Sequence, residues 1–140
     1  MRNASRALLC LALGLSVTLP ALAADSKDIE STPQAKVYRE NGKAIAAADS
    51  VRYKKTMSSA SLKQMDEQEK GMKKTDKQIM EFLKMISPTD VKLTDLKVDG
   101  KKATLSMTGK SDGAARKGSV DMVEENGQWK IDQQEWSDAK

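Results

Sequence analysis

Histidine is absent from this sequence of 140 residues, and the only cysteine, Cys10, lies near its start. These two absences exclude a Ser–His–Asp triad, a Cys–His pair and an ordinary zinc site. Aromatic residues are few: Phe82, Tyr38, Tyr53, Trp129 and Trp136. Neither sign of charge dominates, with 24 Lys and Arg against 20 Asp and Glu. The longest basic cluster, Lys73-Lys74 with Lys70 and Lys77, is interleaved with Glu69 and Asp76. That pattern reads as a solvated helix face, and no nucleic-acid partner is expected.

The one long apolar stretch is at the amino terminus. Arg2 and Arg6 precede an unbroken run of apolar and small residues from Ala7 to Val17, then Pro20 and Ala21-Leu22-Ala23. A basic start, a short apolar run and alanines flanking a cleavage point read as a Sec signal peptide over residues 1–23, cut after Ala23. The run is too short for roughly 30 Å of hydrocarbon, so no membrane span is expected in the mature form. Leu9 directly before Cys10 argues against lipidation. The expected location is the periplasm. Cleavage removes Arg2, Arg6 and Cys10, leaving 22 basic and 20 acidic residues, a net of +2. The mature chain would be free of cysteine, and its stability would rest on an ordinary core. Its length suits one domain.

Residues 24–32 are polar and aperiodic and predict a flexible leader; 33–136 read as a single domain and 137–140 as a polar tail. Thr32-Pro33 looks like a helix start, with Ala35, Tyr38, Gly42 and Ile45 on one face. This helix should end near Asp49-Ser50. A second helical stretch from Ser58 or Ser61 carries Leu62, Met65, Met72, Ile79, Phe82, Leu83 and Ile86. It is either one helix bent near Gly71 or two in series, with a Thr75/Gln78 capping box and a stop at Ser87-Pro88. From Val91 the period becomes two, and Asp95 shifts the alternation, which predicts a bulge. Asp99-Gly100 and Asn126-Gly127 are turn signals. Leu93, Ala103, Leu105, Met107, Val120, Met122, Trp129 and Ile131 are the expected inward positions. Helices followed by four antiparallel strands predict an α+β fold, its curved sheet packed on the helices.

The stretch from Gly118 to Asp132, with its Asn126-Gly127 turn and its Trp129-Lys130-Ile131 strand, resembles the terminal hairpin of small exported domains in the nuclear-transport-factor-2-like superfamily. The run from Ala46 to Ser58, with Ala48-Asp49 and Tyr53, is similar to that group's helix–acid–helix passage. The resemblance implies a cone-shaped sheet. It implies no single function, since the superfamily holds isomerases, cyclases, dehydratases and protein-binding adaptors. Its enzymes mostly use a buried Asp with a His or Tyr inside the cone. No such catalytic residue transfers here: the expected inward strand positions carry no carboxylate, and only Asp49, Tyr38 and Tyr53 could supply a titratable group from the helices. Asp49 reads more simply as a helix-ending residue. In that superfamily the open sheet face often pairs with a second copy, so a homodimer through this face is one expectation.

Seven methionines follow the signal, and thioethers are soft ligands for copper(I) or silver. The helical ones are five, seven or eight residues apart, which stacks most of them along one stripe beside Leu62 and Phe82. Core filler is the expected role, with no metal or other cofactor. Trp136 raises a different question. If the last strand runs unbroken, Trp129 and Ile131 face the core, while Lys130, Asp132, Gln134 and Trp136 face away. An outward Trp136 would be a binding anchor; otherwise the strand ends near Gln133 and the ring folds over the sheet edge.

Two functions from different classes follow. The first is a non-catalytic periplasmic domain that holds another protein, with Trp136, Lys130, Asp132 and Gln134 at the contact. An immunity-type inhibitor of an envelope-directed toxin is one concrete form. The second is a carrier of a small apolar ligand, or a weak polyketide-cyclase-like lyase or isomerase. It would use a pocket lined by Tyr38, Asp49, Tyr53, Phe82, Met107 and Trp129.

Overall fold

The computed structural model describes residues 26–140. The expected signal peptide, residues 1–23 with Cys10, lies outside the described residues. Five helices precede a four-stranded antiparallel sheet: α1 (Ser26–Ile29), α2 (Pro33–Ala46), α3 (Ser50–Thr56), α4 (Ser59–Met72), α5 (Asp76–Ile86), β1 (Thr89–Asp99), β2 (Lys102–Ser111), β3 (Ala114–Glu125) and β4 (Gln128–Asp138). The strands form a meander, β1-β2-β3-β4, so β1 and β4 are the two edges. The fold is α+β, with a curved sheet under the helices, as the change of period from helical spacing to alternation requires.

Side-chain oxygens set the helix starts. Thr32 accepts a hydrogen bond from the Ala35 N–H, with Pro33 in the first turn. Asp49, Ser58 and Thr75 cap α3, α4 and α5 in the same way, and Gln78 completes a capping box with Thr75. Each cap satisfies an N–H that the helix itself leaves unpaired. The second helical stretch is thus two helices in series. They are separated at Lys73, which takes a left-handed conformation at φ 52°, and not by a bend at Gly71.

The core lies between the helices and one sheet face. Leu93, Ala103, Leu105, Met107, Val120, Met122 and Ile131 are buried there, as the alternation predicts, and Trp129 is half-buried. The helices add Ala35, Tyr38, Ala44, Tyr53 and Met80. The irregularity expected at Asp95 is present: the β1–β2 register shifts between Leu93 and Asp95. Another shift, between Asp121 and Met122 of β3, inserts an extra residue in β4, where Ile131 opposes Met122 and Gln133 opposes Asp121.

Three expectations need correction here. The leader is not loose from Ser26 onward. Ser26–Ile29 is helical, Ile29 is fully buried, and Glu30 pairs with Arg39. The buried stripe of α2 runs through Gln34, Ala35, Tyr38, Asn41 and Ala44; Gly42 is exposed. The methionines do not share one buried stripe. Met57, Met80, Met107 and Met122 are buried, but Met72 and Met85 are exposed, and Phe82 keeps 47% of its surface in solvent. α5 packs on α2 and α3, which cover only part of its apolar arc, so Met80 turns in while Phe82 and Met85 turn out.

Burial raises the pKa of both tyrosines, Tyr38 against a smaller opposing effect of Arg39. A phenol whose folded pKa lies above its unfolded value favours the folded state below about pH 10, and that contribution is lost as pH rises through the folded pKa. Stability should therefore fall above about pH 10. The fall should be shallower in the Tyr38→Phe/Tyr53→Phe double variant than in the wild type, read as Tm against pH from 9 to 11.

Candidate functional site

The extra residue in β4 is Asp132, and it decides which way the end of the chain faces. Past an inserted residue the alternation of a strand inverts. Ile131 faces the helices; after the bulge, Gln134 opposes Val120 and Trp136 opposes Gly118, both on that same face. Trp136 is therefore not an outward anchor on the open sheet face, nor does the strand end near Gln133. The ring turns inward and is half-buried against the core.

Its seat is made by two glycines. A Cβ added to Gly118 would lie 2.8 Å from Cδ2 and Cε3 of Trp136, and one added to Gly109 would lie 3.2 Å from Cη2 and Cζ3. The indole thus lies flat across bare backbone of β2 and β3. Its Nε1 is buried and has no hydrogen-bond partner. An unpaired buried donor is rare enough to call for an explanation.

On the other side of Trp136 opens a cleft of about 550 Å³ between β4 and the α4–α5 pair. Its apolar wall includes Met57, Met65, Leu83 and Ile86, and its polar groups include Asn41, Tyr53, Gln64, Gln68, Asp132 and Gln134. Among the described residues, Asp132 and Glu135 are the only charged ones around it, and no Lys or Arg lines it.

The floor is held in place by hydrogen bonds across the layers. The Ser58 N–H donates to the Ile131 carbonyl at 2.7 Å, and the Ser58 hydroxyl donates to Asp132 Oδ1 at 2.6 Å. Ser58 Oγ also accepts from the Ser61 N–H, so one buried residue ties the bulge to the start of α4. Glu125 adds to this junction by accepting from the Ser59 N–H and hydroxyl. Deeper in, Asn41 Nδ2 donates to Thr56 Oγ1 at 2.8 Å and approaches Met57 Sδ at 3.5 Å. The Thr56 hydroxyl donates in turn to the Tyr53 carbonyl. Asn41 is thereby fixed as a buried polar residue with its amide nitrogen engaged, leaving the amide oxygen as its free acceptor.

The structure gathers some of the expected site residues and scatters others. Trp136, Asp132, Gln134 and Tyr53 meet at the cleft. Lys130 lies outside it, in a separate hollow with Lys55 and Trp129, and donates to the Lys55 carbonyl at 2.5 Å. Tyr38 opens on a different hollow, beside Arg39 and Lys43, and Trp129 on a third with Pro33, Val37 and Arg52. Met107 is core. Asp49 caps α3 by accepting from the Arg52 N–H at 3.0 Å. Phe82 points outward, with Lys74 Nζ 5.5 Å from its ring centre. The six residues expected to line one pocket therefore do not share one. Asn41, Ser58 and Gln64 are the site residues that sequence reasoning missed.

Among the described residues no three of the types Asp, Glu, His and Cys converge to hold a metal, and no helix is long and apolar enough to cross a membrane. No protein-family model matches the chain, and no curated protein matches it.

Proposed function

We propose that this chain is an exported, non-catalytic binding domain, built on a nuclear-transport-factor-2-like plan, that holds a partner protein in the cleft between β4 and the α4–α5 pair. The observation that carries this reading is the inward Trp136, a rigid aromatic surface set on two glycines at the wall of an open, preformed cleft. Large aromatics in such settings dominate protein recognition. The exposed Phe82, Met85 and Ile86 of α5 extend an apolar lip beyond the cleft and suit a macromolecular partner. The titratable groups favour binding over acid–base chemistry: burial leaves the Tyr53 phenol a poor base, and Ser58 engages the Asp132 carboxylate. An inhibitor of an envelope-directed toxin is one form this function takes.

A carrier for a small apolar ligand is the second reading, favoured by a volume within the roughly 300–1,000 Å³ usual for small-molecule sites. Gln64, exposed on α4 at the rim, separates these readings from a role elsewhere on the surface. Gln64→Trp should fill the mouth of the cleft without disturbing the core. In affinity capture from periplasmic extract, this variant should retain at least tenfold less partner than the wild type. Equal capture would remove the cleft from the function. A cleft that instead takes up alkyl probes, with no protein retained by either form, would favour the carrier.

A further inference from the structure

β4 is a sheet edge, and the cleft runs along it. Six consecutive residues, Ile131 to Trp136, line the cleft, although the side chains of a strand alternate between two faces. A wall made by every residue in sequence is a wall made by the strand's edge, where backbone N–H and C=O groups lie. The protein covers the start of this edge itself: Met57 makes a parallel bridge to Ile131, and the Ser58 N–H donates to the Ile131 carbonyl. The chain then turns away into α4, and among the described residues β4 beyond Asp132 pairs only with β3. The opposite edge is treated differently. On β1, α1 packs alongside, and Arg39 donates to the Val91 carbonyl from both terminal nitrogens. An unpaired strand edge is a template for another strand unless a protein blunts it.

We infer that Gln133–Trp136 receives an extended segment of a partner protein as a fifth strand, continuing the pairing that Met57 begins. This deepens the cleft-binding reading above and rests on it. The flanking chemistry specifies the segment. On the helix side of the new strand lie Leu83, Ile86 and Met65, so every second side chain of the segment is apolar. On the other face the nearest ranks are Glu135 and, across the pair Gln133–Asp121, Asp121. The alternate side chains are therefore basic, with Glu135 within cross-strand reach and Asp121 one strand farther off. Among the described residues no Lys or Arg lines the cleft, which agrees with this pattern.

The probe is a capped octapeptide of alternating lysine and valine, added to the domain carrying Trp129→Phe so that Trp136 is the sole indole. Two observables are followed: Trp136 emission, and hydrogen exchange at the amides of Gln133 to Trp136. Binding should slow exchange at the edge-facing amides by at least tenfold and shift the emission. The same peptide N-methylated throughout should bind about tenfold more weakly or worse, because two or more hydrogen bonds are lost. An alternating glutamate–valine peptide should bind more weakly than the lysine form. Equal binding of the methylated peptide, with Gln64→Trp blocking both as read by hydrogen exchange alone, would overturn strand addition while leaving the cleft as the binding site. Preference for the glutamate peptide would overturn the basic character of the segment. No response to any peptide would also overturn strand addition, and capture with Gln64→Trp would then judge the cleft by itself.

Discussion

Gly118→Ala should destabilise this domain by about 2–3 kcal/mol, a large loss for one methyl group on a sheet. The new Cβ would stand 2.8 Å from two carbons of the Trp136 indole, well inside van der Waals contact. The ring has little room to slide, because its far end lies over Gly109, where even an added Cβ would stand only 3.2 Å from the indole and 3.2 Å from the Thr89 carbonyl. Alanine normally suits a strand at least as well as glycine, so propensity predicts the opposite sign. Urea unfolding measures the loss. Combining the change with Trp136→Ala identifies its cause. If the clash is with the indole, Gly118→Ala should cost much less in the Trp136→Ala background, and the coupling should exceed 1 kcal/mol. Additive losses would mean that the backbone, not the ring, requires glycine. A milder form of the same contact would reshape the cleft, since the indole can relieve strain only by moving into it.

The architecture was legible because each layer has its own period. Ala103, Leu105 and Met107, and likewise Val120 and Met122, alternate cleanly and are buried. Thr32-Pro33 and Thr75/Gln78 marked helix starts through local chemistry that needs no tertiary partner. What escaped was whatever depends on a distant surface. Ile29 lies in a single turn, too short to show any period, and its burial follows from docking on β1. Phe82 has the right spacing for a core residue, but spacing fixes a helix face and not its width, and α2 and α3 leave it uncovered. Asn41 occupies a core position because Thr56 and Met57 offer it partners from another helix; no pattern within α2 announces that.

The candidate site was less legible than the fold for a related reason. The sequence points to Trp136, Asp132 and Gln134, but an unbroken last strand puts Gln134 and Trp136 on the wrong face of the sheet, and a strand ending near Gln133 leaves Trp136 at its edge. Between Ile131 and Trp136 the sequence reads Asp-Gln-Gln-Glu, with no apolar residue to reveal on which side each lies. An odd spacing between two large apolar residues allows either opposite faces or one bulge. The glycines that seat the ring sit on other strands, where they read as ordinary loop-flanking residues. The decision was made by packing: only on the helix side does Trp136 find both bare backbone to lie on and apolar neighbours.

Deleting Asp132 should test that decision most severely. Without the inserted residue the β3–β4 ladder can run unbroken, and the two halves of β4 can no longer both face the helices. One register keeps Trp129 and Ile131 inward; the other keeps Gln134 and Trp136. Ile131 is almost fully buried against the core, with Met122 as its cross-strand neighbour, so the first register should win. Trp136 would then turn to the solvent side and leave Gly118 and Gly109 uncovered. The loss of a half-buried indole should amount to about 3 kcal/mol, near the low end for removing a large aromatic from a core. In the Trp129→Phe background the emission of Trp136 should shift to the red, as expected for an indole in water. Asp132→Ala is the matched control: it keeps the extra residue and removes only the carboxylate that accepts from Ser58. It should cost about 1–2 kcal/mol and leave the emission where it was. A deletion no worse than the alanine variant, with unshifted emission, would mean that the strand re-forms its bulge from a neighbouring residue. The inward face of Trp136 would then be set by the glycine seat alone, and not by the length of β4.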